Sequence, residues 1–173
     1  MQRGFKLTGV LTDAELHRLP GAPSVERAAK GPVAVIECAE EFPCDPCEYS
    51  CAYGAIIVGQ PIINLPCLDE DSCTGCGKCI AQCPGFAIFV MNLNYSKKEA
   101  TVSFPYEFLP TYKAGEVVNA VNRSGKVITK GKVVDVKNLT NQDRTVVITI
   151  AVPKEFGWDV RGIERKEVKA YDR

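Results

Sequence analysis

Residues 73–84 read Cys73-Thr74-Gly75-Cys76-Gly77-Lys78-Cys79-Ile80-Ala81-Gln82-Cys83-Pro84. Four cysteines at this spacing, closed by a proline, suit a cuboidal iron–sulfur cluster. Two-residue gaps wrap the backbone around a cube of iron and sulfide, so Cys73, Cys76 and Cys79 reach three corners. Cys83 begins a turn that points away, and in two-cluster proteins such a cysteine ligates the other cluster. One tetrahedral zinc ion is poorly served by cysteines packed so tightly, because zinc ribbons pair two Cys-x2-Cys knuckles across a longer gap.

All nine cysteines lie between Cys38 and Cys83. The upstream half, Cys38-x5-Cys44-x2-Cys47-x3-Cys51, is an altered copy of the downstream one. Aligning Cys51 with Cys83 puts Cys44 over Cys76 and Cys47 over Cys79, with Glu41 opposite Cys73. A shifted register puts Cys38 over Cys67 and Cys44 over Cys73, at the cost of a three-residue deletion before Cys51. The pattern leaves both registers open.

With these motifs the stretch 33–92 resembles the bacterial two-cluster, 2[4Fe-4S] ferredoxins. The resemblance implies two [4Fe-4S] clusters in a small pseudo-symmetric domain. Carried over position by position, it assigns Cys51, Cys73, Cys76 and Cys79 to one cluster. Cys44, Cys47 and Cys83 go to the other, with either Cys38 or Cys67 as the fourth ligand. This chain departs from the family at that fourth ligand, and one cysteine is left spare.

The 173-residue chain carries 21 basic and 21 acidic residues. The charge is unevenly spread, since residues 37–83 hold eight acidic residues against Lys78 alone. Such an acidic face steers docking toward a basic partner, or is simply solvated. The N-terminus lacks the apolar stretch of a signal peptide, and no apolar run is long enough to span a bilayer. The expected location is therefore the cytoplasm, where cysteines ligate metal rather than form disulfides.

Residues 1–32 read as a helical lead-in. Thr12-x-x-Glu15 is a capping box opening a helix over 12–18, flanked by a Leu11/Leu16 staple, and Ser24 caps a second helix. His17, the only histidine, reads as a surface or packing residue. Val33–Ile36 and Ala87–Val90 read as strands, and Ile56–Val58 and Ile62–Ile63 flank a turn at Gly59-Gln60-Pro61. Gly54, Gly75, Gly77 and Gly85 are expected to let backbone amides approach cluster sulfurs. A hairpin joins residues 87–93 to 100–104 through Lys97-Lys98-Glu99. Residues 105–114 read as a linker bordered and filled by the aromatics Phe104, Tyr106, Phe108 and Tyr112, which pack between two domains or else cover a cluster or seat a partner. Residues 115–155 read as a small β-barrel or sandwich: a hairpin 116–121/126–129, then strands at 132–136 and 145–152 joined by Asn138, Asn141 and Gln142-Asp143. Residues 156–173 read as a charged tail, either anchored by Phe156 and Trp158 on the β module or on a partner, or partly frayed.

The expected class is thus α+β, with a two-cluster domain over 33–104 between the lead-in and the β module. No phosphate loop, His-based triad or zincin motif is present, so the sequence offers no familiar substrate site, and the expectation is a non-catalytic electron-transfer subunit. The basic module lacks the interleaved aromatics that nucleic-acid binding wants. The expected role is one-electron transfer. The appendages read as docking surfaces on a subunit of a heteromeric oxidoreductase. The layout resembles small ferredoxin-type subunits that accompany FAD-dependent dehydrogenases of proline, hydroxyproline or sarcosine, which implies a larger flavoprotein partner. The alternatives are a stand-alone ferredoxin-like carrier and a redox-sensing or structural iron–sulfur protein.

Overall fold

The computed structural model describes residues 4–109, 111–138 and 145–166. Three single-turn helices lead: α1 (Phe5–Thr8), α2 (Asp13–Leu16) and α3 (Val25–Ala28). None is long enough to persist alone. Thr12 Oγ1 accepts the Glu15 amide at 3.3 Å, and Glu15 Oε2 accepts the Thr12 amide at 2.9 Å, which completes the capping box. The same carboxylate accepts the Phe5 amide at 3.0 Å and so ties α1, which the sequence did not announce, to α2. Ser24 Oγ accepts the Arg27 amide at 3.1 Å and caps α3. His17 stacks edge-on against Trp158, ring centroids 5.0 Å apart, which is the packing role expected of it.

After β1 (Val33–Ile36) come α4 (Pro46–Ser50), β2 (Ile56–Ile57), β3 (Cys67–Leu68), α5 (Lys78–Gln82) and β4 (Ile88–Asn92). Then follow β5 (Glu99–Tyr106), β6 (Val117–Asn122), β7 (Val127–Lys137), β8 (Val146–Pro153) and β9 (Val160–Ile163). The fold is mostly antiparallel sheet with few, short helices. Seven strands form one sheet in the order β1-β4-β5-β8-β7-β6-β9, and β2 pairs with β3 apart from it. β-Branched residues dominate the strands, and Val102, Phe104, Val133, Ile148 and Ile150 are fully buried in the core. Helix α5 packs over β4, β5 and β8 and seats the cysteine-bearing region on the sheet.

Several elements differ from expectation. Residues 127–129 and 132–136 belong to one long strand, β7, whose register shifts between Val133 and Asp135. The irregularity bends the strand without ending it, so it pairs with β6 at one end and β8 at the other. Past Gly59-Gln60-Pro61 the chain closes into a loop in which Asn64 Nδ2 donates to the Val58 carbonyl at 3.0 Å, and β2 pairs with β3. Part of the charged tail is strand β9, because Val160 and Ile163 are buried against the sheet. Residues Asn141, Gln142, Asp143 and 167–173 lie outside the described residues. Of the aromatics near residues 105–114, Phe104, Tyr106 and Tyr112 are buried. The Tyr112 hydroxyl donates to the Glu164 carbonyl at 2.7 Å.

β1 and β9 stand at opposite ends of the hydrogen-bonded order, yet an ion group joins them. Glu37, directly after β1, accepts Arg161 Nε of β9 at 2.6 Å and Arg123 Nη2 at 2.9 Å. The sheet therefore curls until its two ends meet across charged side chains.

Candidate iron–sulfur centre

Helices α4 and α5 are equivalent. Cys44, Cys47, Cys51 and Ile56 each stand 32 residues before Cys76, Cys79, Cys83 and Ile88. Cys47 and Cys79 sit inside the two helices, and Cys51 and Cys83 end them with matching extended backbones, φ −82° and −80°. The amides of Ala55 and Ala87 donate to the sulfurs of Cys51 and Cys83 at 3.2 and 3.4 Å. At the next equivalent pair, Gly54 has φ 62° and Phe86 has φ 52°. This geometry selects the register that aligns Cys51 with Cys83. The strands obey the same pseudo-twofold relation, since β1 before the first helix pairs with β4 after the second, and β3 with β2.

The turn of the chain places the sulfurs in two groups. A cavity of about 290 Å³ is lined by Cys38, Cys44, Cys47 and Cys83, with Phe42 and Pro66 among its walls. A tighter one, of about 20 Å³, is lined by Cys51, Cys73, Cys76 and Cys79, with Ala34, Ile56 and Val90 behind them. Each group thus takes sulfurs from both repeats. Cys67 lines neither cavity; it sits exposed in β3 opposite Ile57. Cys38, three residues before the Glu41 that this register sets opposite Cys73, lines the first cavity as Cys73 lines the second.

The donor chemistry of both groups fits [4Fe-4S] clusters: four soft sulfurs each, with apolar walls. Among the described residues, no three His, Cys, Asp or Glu side chains are grouped tightly enough for a single metal ion. Burial pushes the Cys79 thiol up to about 12, helped by the sulfurs of Cys73, Cys76 and Cys51. Burial, with Cys83 and Cys44, pushes Cys47 up to about 11. Cys38 and Cys44 rise for the same reasons, burial first and Cys83 second. Groups of thiols that raise one another in this way accept ionisation only beside a strong positive charge, which ligated iron supplies.

The loops that carry the cysteines are pinned by residues with no sequence signature. Arg27 Nη2 donates to the carbonyls of Cys73 at 2.6 Å and Pro32 at 3.1 Å, and its Nε donates to the Glu70 carbonyl at 2.8 Å. Glu48 Oε2 accepts the amides of Val58 and Gly59 at 2.9 and 3.0 Å, which holds α4 to the segment after β2 and lowers its carboxyl below the usual range. Gly75 has φ +65°, and a Cβ there would lie 2.6 Å from the Pro32 backbone. Gly54, with φ 62°, directly precedes Ala55, whose amide reaches Cys51 Sγ; no amide of Gly54, Gly75, Gly77 or Gly85 itself donates to a cysteine sulfur among the described residues. The amides that reach sulfur are those of Ala34 on Cys73, at 3.4 Å, and of Ala55 and Ala87 as above.

Comparison with known proteins agrees with this chemistry. The model of the 4Fe-4S binding domain matches residues 66–89. The chain is 34% identical over 71 residues to Protein Pixie of Drosophila melanogaster, covering 38% of this chain and 12% of that protein. It is 42% identical over 38 residues to one subunit of the Na(+)-translocating ferredoxin:NAD(+) oxidoreductase complex of Acetobacterium woodii, covering 22% of this chain and 11% of that protein. The chain therefore spans about an eighth or less of these relatives' lengths. No solved structure gives a significant match. Among the described residues no helix is long and apolar enough to cross a membrane. This chain thus contains a ferredoxin-type 4Fe-4S binding domain, centred on Cys73, Cys76, Cys79 and Cys83.

Proposed function

We propose that this chain relays single electrons through two [4Fe-4S] clusters as a subunit of a larger oxidoreductase in the cytoplasm. The observation that carries the reading is the division of eight cysteines into two cavities of four. Cys51, Cys73, Cys76 and Cys79 would hold one cluster, and Cys38, Cys44, Cys47 and Cys83 the other. When bound, such clusters supply one-electron transfer. The chain's own residues ligate, donate amide hydrogen bonds to sulfur from Ala34, Ala55 and Ala87, and keep water out with Ile36, Ile56, Ile88 and Val90.

Support for the electron-transfer role comes from the 4Fe-4S domain and from the likeness to a ferredoxin:NAD(+) oxidoreductase subunit. The acidic stretch 37–83 supports docking to a basic partner surface. A flavin-bearing partner of the amino-acid dehydrogenase kind rests on layout alone, and the comparisons add no support to it. The test is anaerobic purification of the full chain from its own cells, with iron analysis, redox titration and native mass. The expected result is about eight irons per chain and co-purification with a larger subunit. Four irons and one midpoint overturn the two-cluster reading. A cluster-loaded monomer overturns the subunit reading.

A further inference from the structure

We infer that Glu37, clamped between Arg123 and Arg161, is a positioning residue for the Cys38/Cys44/Cys47/Cys83 chamber, and that this ion group sets the potential of a cluster held there. The inference rests on the two-cluster reading above.

Three connections join the ion group to that chamber. Glu37 is bonded through the chain to Cys38. Its amide donates to the Ala87 carbonyl at 2.8 Å, and the Ala87 amide donates to Cys83 Sγ at 3.4 Å. The residue that carries the carboxylate is thus joined through its backbone to two of the four cysteines. Finally, Phe5, Glu37, Gly85 and Ala87 form both a wall of the chamber and a wall of a neighbouring cleft, which Arg123 and Arg161 line from the other side.

The charges are shielded from solvent. The side chains of Glu37, Arg123 and Arg161 are 9%, 10% and 4% exposed. Arg161 lies 5.1 Å from the Phe89 ring centroid, and its Nη2 has no hydrogen-bond partner among the described residues. Charges so placed are weakly screened and act at longer range than surface charges. A purely structural clamp explains the arrangement poorly, because an apolar pair would join the sheet ends at lower desolvation cost. The other chamber has no ion group of this kind: Lys78 is the one charged residue in its wall, Arg27 reaches the Cys73 carbonyl at 2.6 Å, and the ion pairs found among the described residues include neither. The two chambers therefore see different electrostatic surroundings despite their near-identical cysteine frames.

The sign follows from charge. Reduction adds one electron to the cluster, so a nearby cation favours it and a nearby anion opposes it. Glu37→Gln removes the anion and is expected to raise the midpoint of this cluster. Arg161→Met removes a cation and is expected to lower it. Arg161→Lys keeps the charge and is expected to leave it near the wild-type value. The readout is an anaerobic EPR-monitored redox titration of the full, iron-loaded chain, with the second cluster as internal reference. The expected effect is a threefold or larger change in the oxidised-to-reduced ratio, about 28 mV at 59 mV per decade for one electron. Opposite shifts confined to one midpoint support the inference. Where Arg161→Met fails to accumulate, the isosteric Glu37→Gln and the charge-conserving Arg161→Lys carry the test. Unchanged midpoints in variants that keep both clusters overturn it, as do equal shifts of both clusters. A wild-type chain with a single midpoint defeats the two-cluster reading itself, a distinct outcome.

Discussion

Replacing Gly75 by alanine tests how the Cys73–Cys76 loop is built. Gly75 has φ +65°, and the added Cβ would meet the Pro32 carbonyl carbon at 2.6 Å and its oxygen at 2.7 Å. Gly54 supplies the control, because its φ is +62° but a Cβ there meets nothing within 4 Å. Both substitutions force alanine into the left-handed region, at about 1–2 kcal/mol. Only Gly75→Ala adds a backbone collision. Pro32 has little room to yield, since its carbonyl accepts Arg27 Nη2 at 3.1 Å and the next residue, Val33, is fully buried in β1. Overpacking of this kind costs about 1–3 kcal/mol more. The assay is the rate at which cluster absorbance bleaches in a fixed denaturant concentration under anaerobic conditions. If the extra cost is borne by the native state, Gly75→Ala bleaches roughly fivefold to a hundredfold faster than Gly54→Ala, at about 1.4 kcal/mol per decade. Equal rates for the two variants refute the steric argument.

Three further outcomes are expected. Cys38→Ser lowers the iron content by about half, the share of one of two four-iron clusters, whereas Cys67→Ser leaves it unchanged; iron analysis and EPR of the purified variants decide this. Arg27→Met frees the carbonyls of Cys73, Pro32 and Glu70, and loss of hydrogen bonds from a charged donor costs about 1.5–3 kcal/mol, seen as lower thermal stability with faster loss of the Cys73-side cluster. The iron-free chain loses stability as pH rises from 9.0 toward about 12, because burial raises the folded-state pKa of Cys79 above its ordinary value and the neutral thiol is the form the fold favours. Thermal melts of that chain at pH 8 and pH 10.5 check the sign, and identical melts refute it.

Much of the site was legible because thiolate spacing around a cluster is a local constraint. Cys73, Cys76, Cys79 and Cys83 announce themselves within eleven residues, and the Thr12/Glu15 and Ser24 caps are equally local. The choice between registers was not legible. Cysteine spacing permits both, and the decision lies in the helix ends at Cys51 and Cys83 and in the strand pairings, which are tertiary. The same holds for Cys38 against Cys67, since both precede a cysteine by six residues and only the course of β1 and β3 separates them. Glu37, Arg123 and Arg161 left no trace in the sequence. They are single charges 86 and 124 residues apart, and nothing short of the curled sheet brings them together. β7 was divided because Lys130-Gly131 reads as a break. In the fold, Gly131 lies against Val152, where a Cβ would sit 2.9 Å from the valine side chain, so the glycine there permits close packing.

The interleaving of sulfurs has a consequence for cutting the molecule. Cys51 serves the cavity otherwise built from the downstream repeat, and Cys83 serves the one built from the upstream repeat. A cleavage in the loop between Val58 and Pro66 therefore leaves each fragment with at most three sulfurs of either set. Neither piece retains a complete site, however well it folds, and no deletion can spare one set by removing the opposite repeat. Recombined, the two pieces hold all eight sulfurs. Recovery of brown colour on mixing the fragments with iron and sulfide would thus report their association directly, making the pair a split reporter whose signal each half lacks alone.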